Sequence, residues 1–249
     1  MNSITMAFFL TMLAGFSTLL GVMPIFIPIK SEKKVIISCL AFAAGVMICV
    51  SITELIPESI SLLEEKYYGI FPYLLSFICL FIGIFVSFYI GDNLSQLEEK
   101  SSLYKVGIVS MIAIILHNIP EGIITFISTT KDTSLGISLA IAIALHNIPE
   151  GISIGIPIYY ASNKKSKALF YTFLSGVSEP FGALLTYLFL LPFINSVILG
   201  LLFSFIAGIM IEISTTELLR KSYWYGEDTL TTFFFVVGII FMLLKFIVI

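Results

Sequence analysis

Eight stretches of this sequence are long and apolar enough to cross a lipid bilayer, and no other feature constrains the fold as strongly. They cover residues 4–28, 35–57, 70–91, 104–129, 134–160, 168–191, 195–219 and 230–249. Charged residues make up 12% of the chain and mean hydropathy is +1.07, whereas soluble domains carry about 25% charge. A soluble globular protein and a disordered chain are both excluded. In lipid the backbone must satisfy its own hydrogen bonds, which leaves helices or closed barrels. The runs are too long and too continuously apolar for alternating barrel strands. The expectation is one all-α integral membrane domain spanning residues 1–249, with eight transmembrane helices. The longest connections, Asp92–Leu103 and Arg220–Thr229, could not hold a folded module. The N-terminus lacks a basic segment and its apolar run continues to Pro28, so no cleavable signal peptide is expected. Cys39, Cys49 and Cys79 sit in apolar stretches and read as buried thiols, not a disulfide framework. A net charge of -3 offers nothing to a nucleic acid.

The basic residues set the orientation. With eight spans, four connections lie on one side of the membrane. They hold Lys30, Lys33, Lys34, Lys100, Lys105, Lys164, Lys165, Lys167, Arg220 and Lys221, ten of the 13 basic residues. The other side has Lys66, Lys131 and, near the C-terminus, Lys245. The positive-inside rule therefore places the basic loops in the cytoplasm and both termini outside.

Two repeats organise the chain. Ile112–Thr125 reads IAIILHNIPEGIIT and Ile141–Ile154 reads IAIALHNIPEGISI. Ala44–Ile56 reads AGVMICVSITELI and Ala207–Leu219 reads AGIMIEISTTELL. Spans 4 and 5 cross in opposite directions, as do spans 2 and 7. This is the pattern of an inverted repeat, here 3 + 2 + 3 helices, and such transporters bind substrate near the midplane at the repeat interface.

The two histidines of the chain, His117 and His146, both lie in the doubled motif at mid-depth. Each has a carboxylate four residues on, Glu121 and Glu150, which puts acid and imidazole on one helix face. Asn118 and Asn147 flank that face. A carboxylate in the bilayer core is costly unless paired or coordinated, and no Lys or Arg lies at comparable depth. A bound cation is the simplest compensation. Pro120 and Pro149 remove the helical partners of the Leu116 and Leu145 carbonyls, which would converge on the same place. In span 6, Ser-Gly-Val-Ser-Glu-Pro places a third carboxylate, Glu179, beside Pro180. Glu54 and Glu217 lie nearer the ends of spans 2 and 7, as candidate relay sites outside and inside. Glu212 is deep and acidic, without a counterpart in span 2. Imidazole nitrogen mixed with carboxylate oxygen suits Zn²⁺, Fe²⁺, Mn²⁺ or Co²⁺, and the ligand set does not choose among them.

The doubled HNIPEG motif, the SGVSEP motif of span 6 and eight spans with both ends outside resemble the ZIP family of divalent-metal transporters, in its bacterial ZupT-like branch. The likeness covers essentially the whole chain. It implies a two-metal transport site between spans 4 and 5. His117, Glu121, His146 and Glu150 match one position; Asn118, Asn147 and Glu179, bridged by Glu121 and Glu150, match the second. Met47 in span 2 is a further carry-over, and Glu217 matches an acidic position on the family's cytoplasmic exit path. The chain departs from the family in lacking a His-rich loop within Asp92–Leu103 and in carrying Glu212 where a histidine is expected. The implied function is carriage of zinc, or of iron, manganese or cobalt, into the cytoplasm of a bacterium across its inner membrane. No prosthetic group is implied; the partners are the metal ions and the bilayer, and a homodimer is open to it. The competing reading, an intramembrane di-metal enzyme acting on lipid, calls for more histidines than two.

Overall fold

The computed structural model describes residues 3–27, 31–97, 102–190, 193 and 195–248. Among the described residues every regular element is helical. In chain order these are α1 (Ser3–Phe26), α2 (Glu32–Glu64), α3 (Phe71–Leu97), α4 (Ser102–Lys131), α5 (Thr133–Ser162), α6 (Lys165–Leu190), α7 (Ser196–Trp224) and α8 (Asp228–Val248). Seven of them, α1 to α7, are long and apolar enough to cross a membrane, and α8 contributes a shorter apolar stretch, Asp228–Leu244. Of the positions used above, Pro28, Lys30, Lys100, Leu191 and Ile249 lie outside the described residues.

Several helices overrun their apolar stretches. Helix α2 continues past Pro57 to Glu64, α3 runs to Leu97 and α7 to Trp224. The expected loop Arg220–Thr229 therefore shrinks to Tyr225–Glu227. Hydropathy marks where lipid is, not where the helix stops. Arg220 and Lys221 are good helix formers, and cations suit the negative C-terminal end of a helix. Residues with positive φ close two of the helices, Asn163 at the end of α5 and Gly226 just after α7, and Gly69 has positive φ in the turn before α3.

The helices sort into two groups of four. Helices α1, α4, α5 and α6 pack mainly on one another; α2 packs chiefly on α8, and α3 chiefly on α7. The largest contact between the groups joins α2 to α5. A buried apolar cluster fills this seam and includes Leu40, Ala44, Met47, Ile154, Ile158 and Met210.

The second repeat is built into the backbone. A Cβ on Gly45 would fall 2.2 Å from the Phe235 carbonyl of α8, and one on Gly208 2.0 Å from the Leu80 carbonyl of α3. The same Ala-Gly step thus sits at the closest crossing of each pair, because helices in lipid associate where small residues let backbones touch. Both copies then widen into a π turn, Ser51–Leu55 in α2 and Ser214–Leu219 in α7. Ser51 donates to the Met47 carbonyl at 2.8 Å and Ser214 to the Met210 carbonyl at 2.6 Å. Such hydroxyls compete with backbone N–H groups for the carbonyl four residues back. Polar contacts also join α2, α3 and α7. Ser59 donates to the Gly200 carbonyl at 2.6 Å, and the Ser76 and Ser204 hydroxyls meet at 2.9 Å. Each such bond contributes about 0.6 kcal/mol in a membrane.

The basic connections gather at one end of the bundle. Lys33 at the start of α2 pairs with Glu227 after α7 at 3.2 Å. Lys105 at the start of α4 pairs with Glu217 of α7 at 3.0 Å. Lys165 of α6 lies 4.6 Å over the ring of Phe26 at the end of α1, and Lys167 lies 5.6 Å over Tyr104 of α4.

Candidate metal centre

Helices α4 and α5 run through Pro120 and Pro149 without losing helical conformation. The i, i+4 spacing therefore presents His117 with Glu121, and His146 with Glu150, as the sequence requires. Two glycines immediately after the glutamates set the distance to the neighbouring helices. A Cβ on Gly122 would lie 2.0 Å from the carbonyl oxygen of Glu179 on α6. A Cβ on Gly151 would lie 1.8 Å from the carbonyl of Thr18 on α1. Only glycine permits these approaches, and they bring α6 and α1 against the two motif faces.

The result is a compact polar cluster inside an apolar bundle. One carboxylate oxygen of Glu121 stands between both imidazoles, 3.2 Å from His117 Nε2 and 2.8 Å from His146 Nε2. Glu150 reaches across from α5, its Oε1 3.3 Å from His117 Nε2. The ligand atoms of His117, Glu121 and His146 all fall within 4.8 Å of one another. Tetrahedral zinc with bonds near 2.0–2.2 Å spaces its ligand atoms about 3.4 Å apart, so the paired distances need little adjustment. All four residues are at most 4% exposed.

Beside this cluster lies a set richer in oxygen. Asn147 Nδ2 donates to the Glu179 carboxylate and, at 2.9 Å, to the Ala14 carbonyl of α1. Asn118 Nδ2 donates at 3.2 Å to the Ser175 carbonyl of α6. These bonds fix both amides with their oxygens turned elsewhere. Asn118 Oδ1, Asn147 Oδ1, Glu121 Oε2, Glu150 Oε2 and Glu179 Oε2 are buried and have no hydrogen-bond partner, as are both histidine Nδ1 atoms. Leaving so many buried acceptors unsatisfied costs about 1–3 kcal/mol each, more for a charged group. A cation would satisfy several of them together.

The remaining predicted residues separate. A cavity of about 600 Å³ runs from Glu121 and His146 past Glu54 and Ser128 to the exposed Glu58 and Ser61. Its mouth lies opposite the basic loops, at the ends of α2 and α4. Glu217 stands at the basic end in its pair with Lys105. Met47 is fully buried in the apolar seam between the helix groups. Glu212 belongs to the α3–α7 contact, where Ser87 and Thr216 each donate a hydroxyl to its carboxylate at 2.5 Å. That explains how an acid is tolerated at this depth. Sequence reasoning missed Glu58, although it lies one turn beyond Glu54 on the same helix. It also missed the Ala14 carbonyl, for which a one-dimensional sequence carries no signal.

This assembly has known relatives. The profile of the ZIP Zinc transporter family matches residues 92–245, including both copies of the doubled motif and Glu179. A protein of Clostridium perfringens (strain 13 / Type A) described as "Zinc transporter ZupT" is 38% identical over 97% of this chain and 95% of its own length. Proteins of the same description are 39% identical in Streptococcus mutans, over 95% of this chain and 94% of the relative, and in Campylobacter jejuni, over 92% of each. The chain belongs to the ZIP Zinc transporter family and is a multi-pass membrane transporter of divalent metal, not an enzyme.

Proposed function

We propose that this protein carries Zn²⁺, and on the same ligands Fe²⁺, Mn²⁺ or Co²⁺, into the bacterial cytoplasm through a two-metal site between α4 and α5. The carrying observation is the buried convergence of His117, Glu121, His146 and Glu150, with unsatisfied nitrogen and oxygen atoms and, among the described residues, no basic side chain lining the cavity that reaches them. His117, Glu121, His146 and Glu150 hold the first ion. Asn118, Asn147 and Glu179 hold the second, with Glu121 and Glu150 shared. Helix α8 is the eighth span, and both termini face outward. The gathering of basic connections at one end supports this orientation. The paired architecture of α2 on α8 and α7 on α3 supports the inverted 3 + 2 + 3 repeat.

Metal enters by the cavity from Glu58 and Glu54, loses water stepwise to the carboxylates and reaches the histidines. It leaves toward Glu217. The Lys105–Glu217 pair joins α4 of one helix group to α7 of the other and lies 18% and 8% exposed. With the opposite mouth open, it closes the basic end. Uptake of radiolabelled Zn²⁺ and Fe²⁺ into proteoliposomes tests the proposal. Wild type should accumulate metal and Glu121→Ala should not; equal uptake by both would overturn the site.

A further inference from the structure

A third repeat links α1 to α6. Leu13–Gly21 reads LAGFSTLLG and Leu174–Gly182 reads LSGVSEPFG, with Leu, Gly, Ser and Gly at the same four places. The contacts repeat with the residues. Gly15 and Gly176 cross each other, and a Cβ on either would strike the other's carbonyl oxygen. A Cβ on Gly21 would strike the Ile148 carbonyl of α5, and one on Gly182 the Ile119 carbonyl of α4. Ile148 and Ile119 hold the same position in the two HNIPEG motifs. Helix α1 therefore stands to α5 as α6 stands to α4. Thr18 occupies the place of Glu179, so α1 brings no acid.

The pairing exposes one device used twice. Asn147 donates to the Ala14 carbonyl at 2.9 Å, and Asn118 to the Ser175 carbonyl at 3.2 Å. Each carbonyl also accepts the hydroxyl of the serine three residues on. Ser17 Oγ lies 2.6 Å from the Ala14 oxygen, and Ser178 Oγ 2.5 Å from the Ser175 oxygen. A hydroxyl bonded back within its own helix competes with the backbone N–H for that carbonyl, which turns the oxygen toward a donor outside the helix. Ser17 Oγ is also 3.0 Å from the Ala144 carbonyl, one turn before Asn147, and so ties α1 to α5 at this level. Ser17 is 8% exposed and Ser178 6%, so water does not replace either bond.

An asparagine can serve a cation by its amide oxygen only, since its NH₂ end is a donor. With the amide of Asn147 reversed, its oxygen would face the Ala14 carbonyl and the Glu179 carboxylate, acceptors with no proton among them. The oxygen of a reversed Asn118 would face the Ser175 carbonyl. The neighbouring carbonyl thus decides which end of each amide is left over. In both residues that end is Oδ1, buried and without a hydrogen-bond partner. We propose that Ser17 and Ser178 are positioning residues of the transport site: each fixes a backbone carbonyl that holds its asparagine with the oxygen toward the ion. Neither serine is itself a ligand. The proposal rests on the two-metal reading above and adds the residues that orient two of its ligands.

Zn²⁺ binding to the full chain in detergent, in competition with a chelating dye, gives the affinity of the second ion. Threonine and valine share an outline and differ in the hydroxyl. S17V and S178V should each weaken the second ion about 10-fold to 100-fold, the range for losing a group that orients a metal ligand. S17T and S178T should each bind it about 10-fold or more tighter than the valine form at the same position. Equal binding by the threonine and valine forms would reduce that serine to packing and overturn its assignment. Partner specificity is the second measurement. In double-mutant cycles the S17V loss should vanish once Asn147 is alanine and persist once Asn118 is; the S178V loss should do the reverse. Losses that add in every combination would overturn the proposal. The two readings fail separately. If N118A and N147A bind two ions as wild type does, the two-metal site falls and the serine assignment with it. If the asparagine variants weaken the second ion and the valine variants do not, the site stands and the serine assignment alone falls.

Discussion

Gly122 is the residue through which packing controls chemistry. Replacing it with alanine puts a methyl group 2.0 Å from the Glu179 carbonyl oxygen and 2.7 Å from the carbonyl carbon. Contacts of this kind are not found below 3.0 Å, so α4 and α6 must separate by about 1 Å at this level. The obstacle is backbone and cannot rotate away. Overpacking costs about 1–3 kcal/mol, which a bundle of this size survives. The functional cost is larger, because Glu179 moves with its backbone while metal sites tolerate distance errors of about 0.2 Å. A misplacement of 1 Å is worth roughly 100-fold in an active site. We expect Gly122→Ala to fold and insert normally, to bind one Zn²⁺ where wild type binds two, and to lose about 100-fold in uptake. Titration calorimetry in detergent and proteoliposome uptake measure these separately. Gly107→Ala is the control, an overpacked position on the same helix away from Glu121: its methyl group would meet the buried Ile158 side chain, Cγ1 at 2.6 Å, and the Ile154 carbonyl oxygen at 3.2 Å. Wild-type uptake by Gly122→Ala, or equal inactivity of Gly107→Ala, would refute the reasoning.

His117→Ala and Glu150→Ala should each abolish transport with the protein still folded, and Glu150→Ala should melt no lower than wild type in the absence of metal, since it removes a buried charge. With Cys39, Cys49 and Cys79 replaced by alanine, cysteines at positions 31 and 165 should label only from the cytoplasmic face and one at 131 only from outside; the reverse pattern would exchange the roles given to Glu54 and Glu217. Metal-bound imidazole must be neutral and its carboxylates ionised, so protons compete with the ion. Apparent Zn²⁺ affinity should therefore fall as pH drops from about 7.5 to about 5.5, across the ordinary histidine range, less steeply in Glu179→Gln; an affinity independent of pH would contradict the ligand set. Glu58→Gln should slow uptake at low metal concentration and leave the saturated rate intact, as expected of a residue that only gathers cations at the cavity mouth; an unchanged low-concentration rate would remove it from the entry path.

The legible part of this protein was the part written in repeats and in charge against lipid. A histidine and a glutamate four apart share a face on any helix, so the pairs on α4 and α5 could be read before they were placed. The cost of a carboxylate in hydrocarbon made Glu121, Glu150 and Glu179 stand out for the same reason. Helix ends were read less well, since α2, α3 and α7 extend beyond the apolar stretches that announced them. Membrane thickness limits the hydrophobic segment and leaves the helix free to continue.

What stayed hidden was which helices meet. Lys105 and Glu217 are 112 positions apart in sequence, and each alone looks like an interfacial charge; the fold makes them a pair between the two helix groups. Glu212 seemed an unpartnered acid until α3 supplied Ser87. Helix α1 carries no titratable motif, yet its Ala14 carbonyl fixes the Asn147 amide beside the histidines. The glycines connect the two kinds of information. Gly122 and Gly151 are visible in the doubled motif as small residues, but their meaning lies in the backbone each one admits: α6 carrying Glu179 in one copy, α1 carrying Ala14 and Thr18 in the other. Each copy of the motif receives a neighbouring helix at its glycine, and in the proposed site each also holds an ion. The two copies differ in function because the helices they receive differ: one brings a carboxylate, the other a backbone carbonyl. A nearly symmetric sequence thereby builds an asymmetric site, with both imidazoles gathered on Glu121 and the Asn147 amide on Glu179.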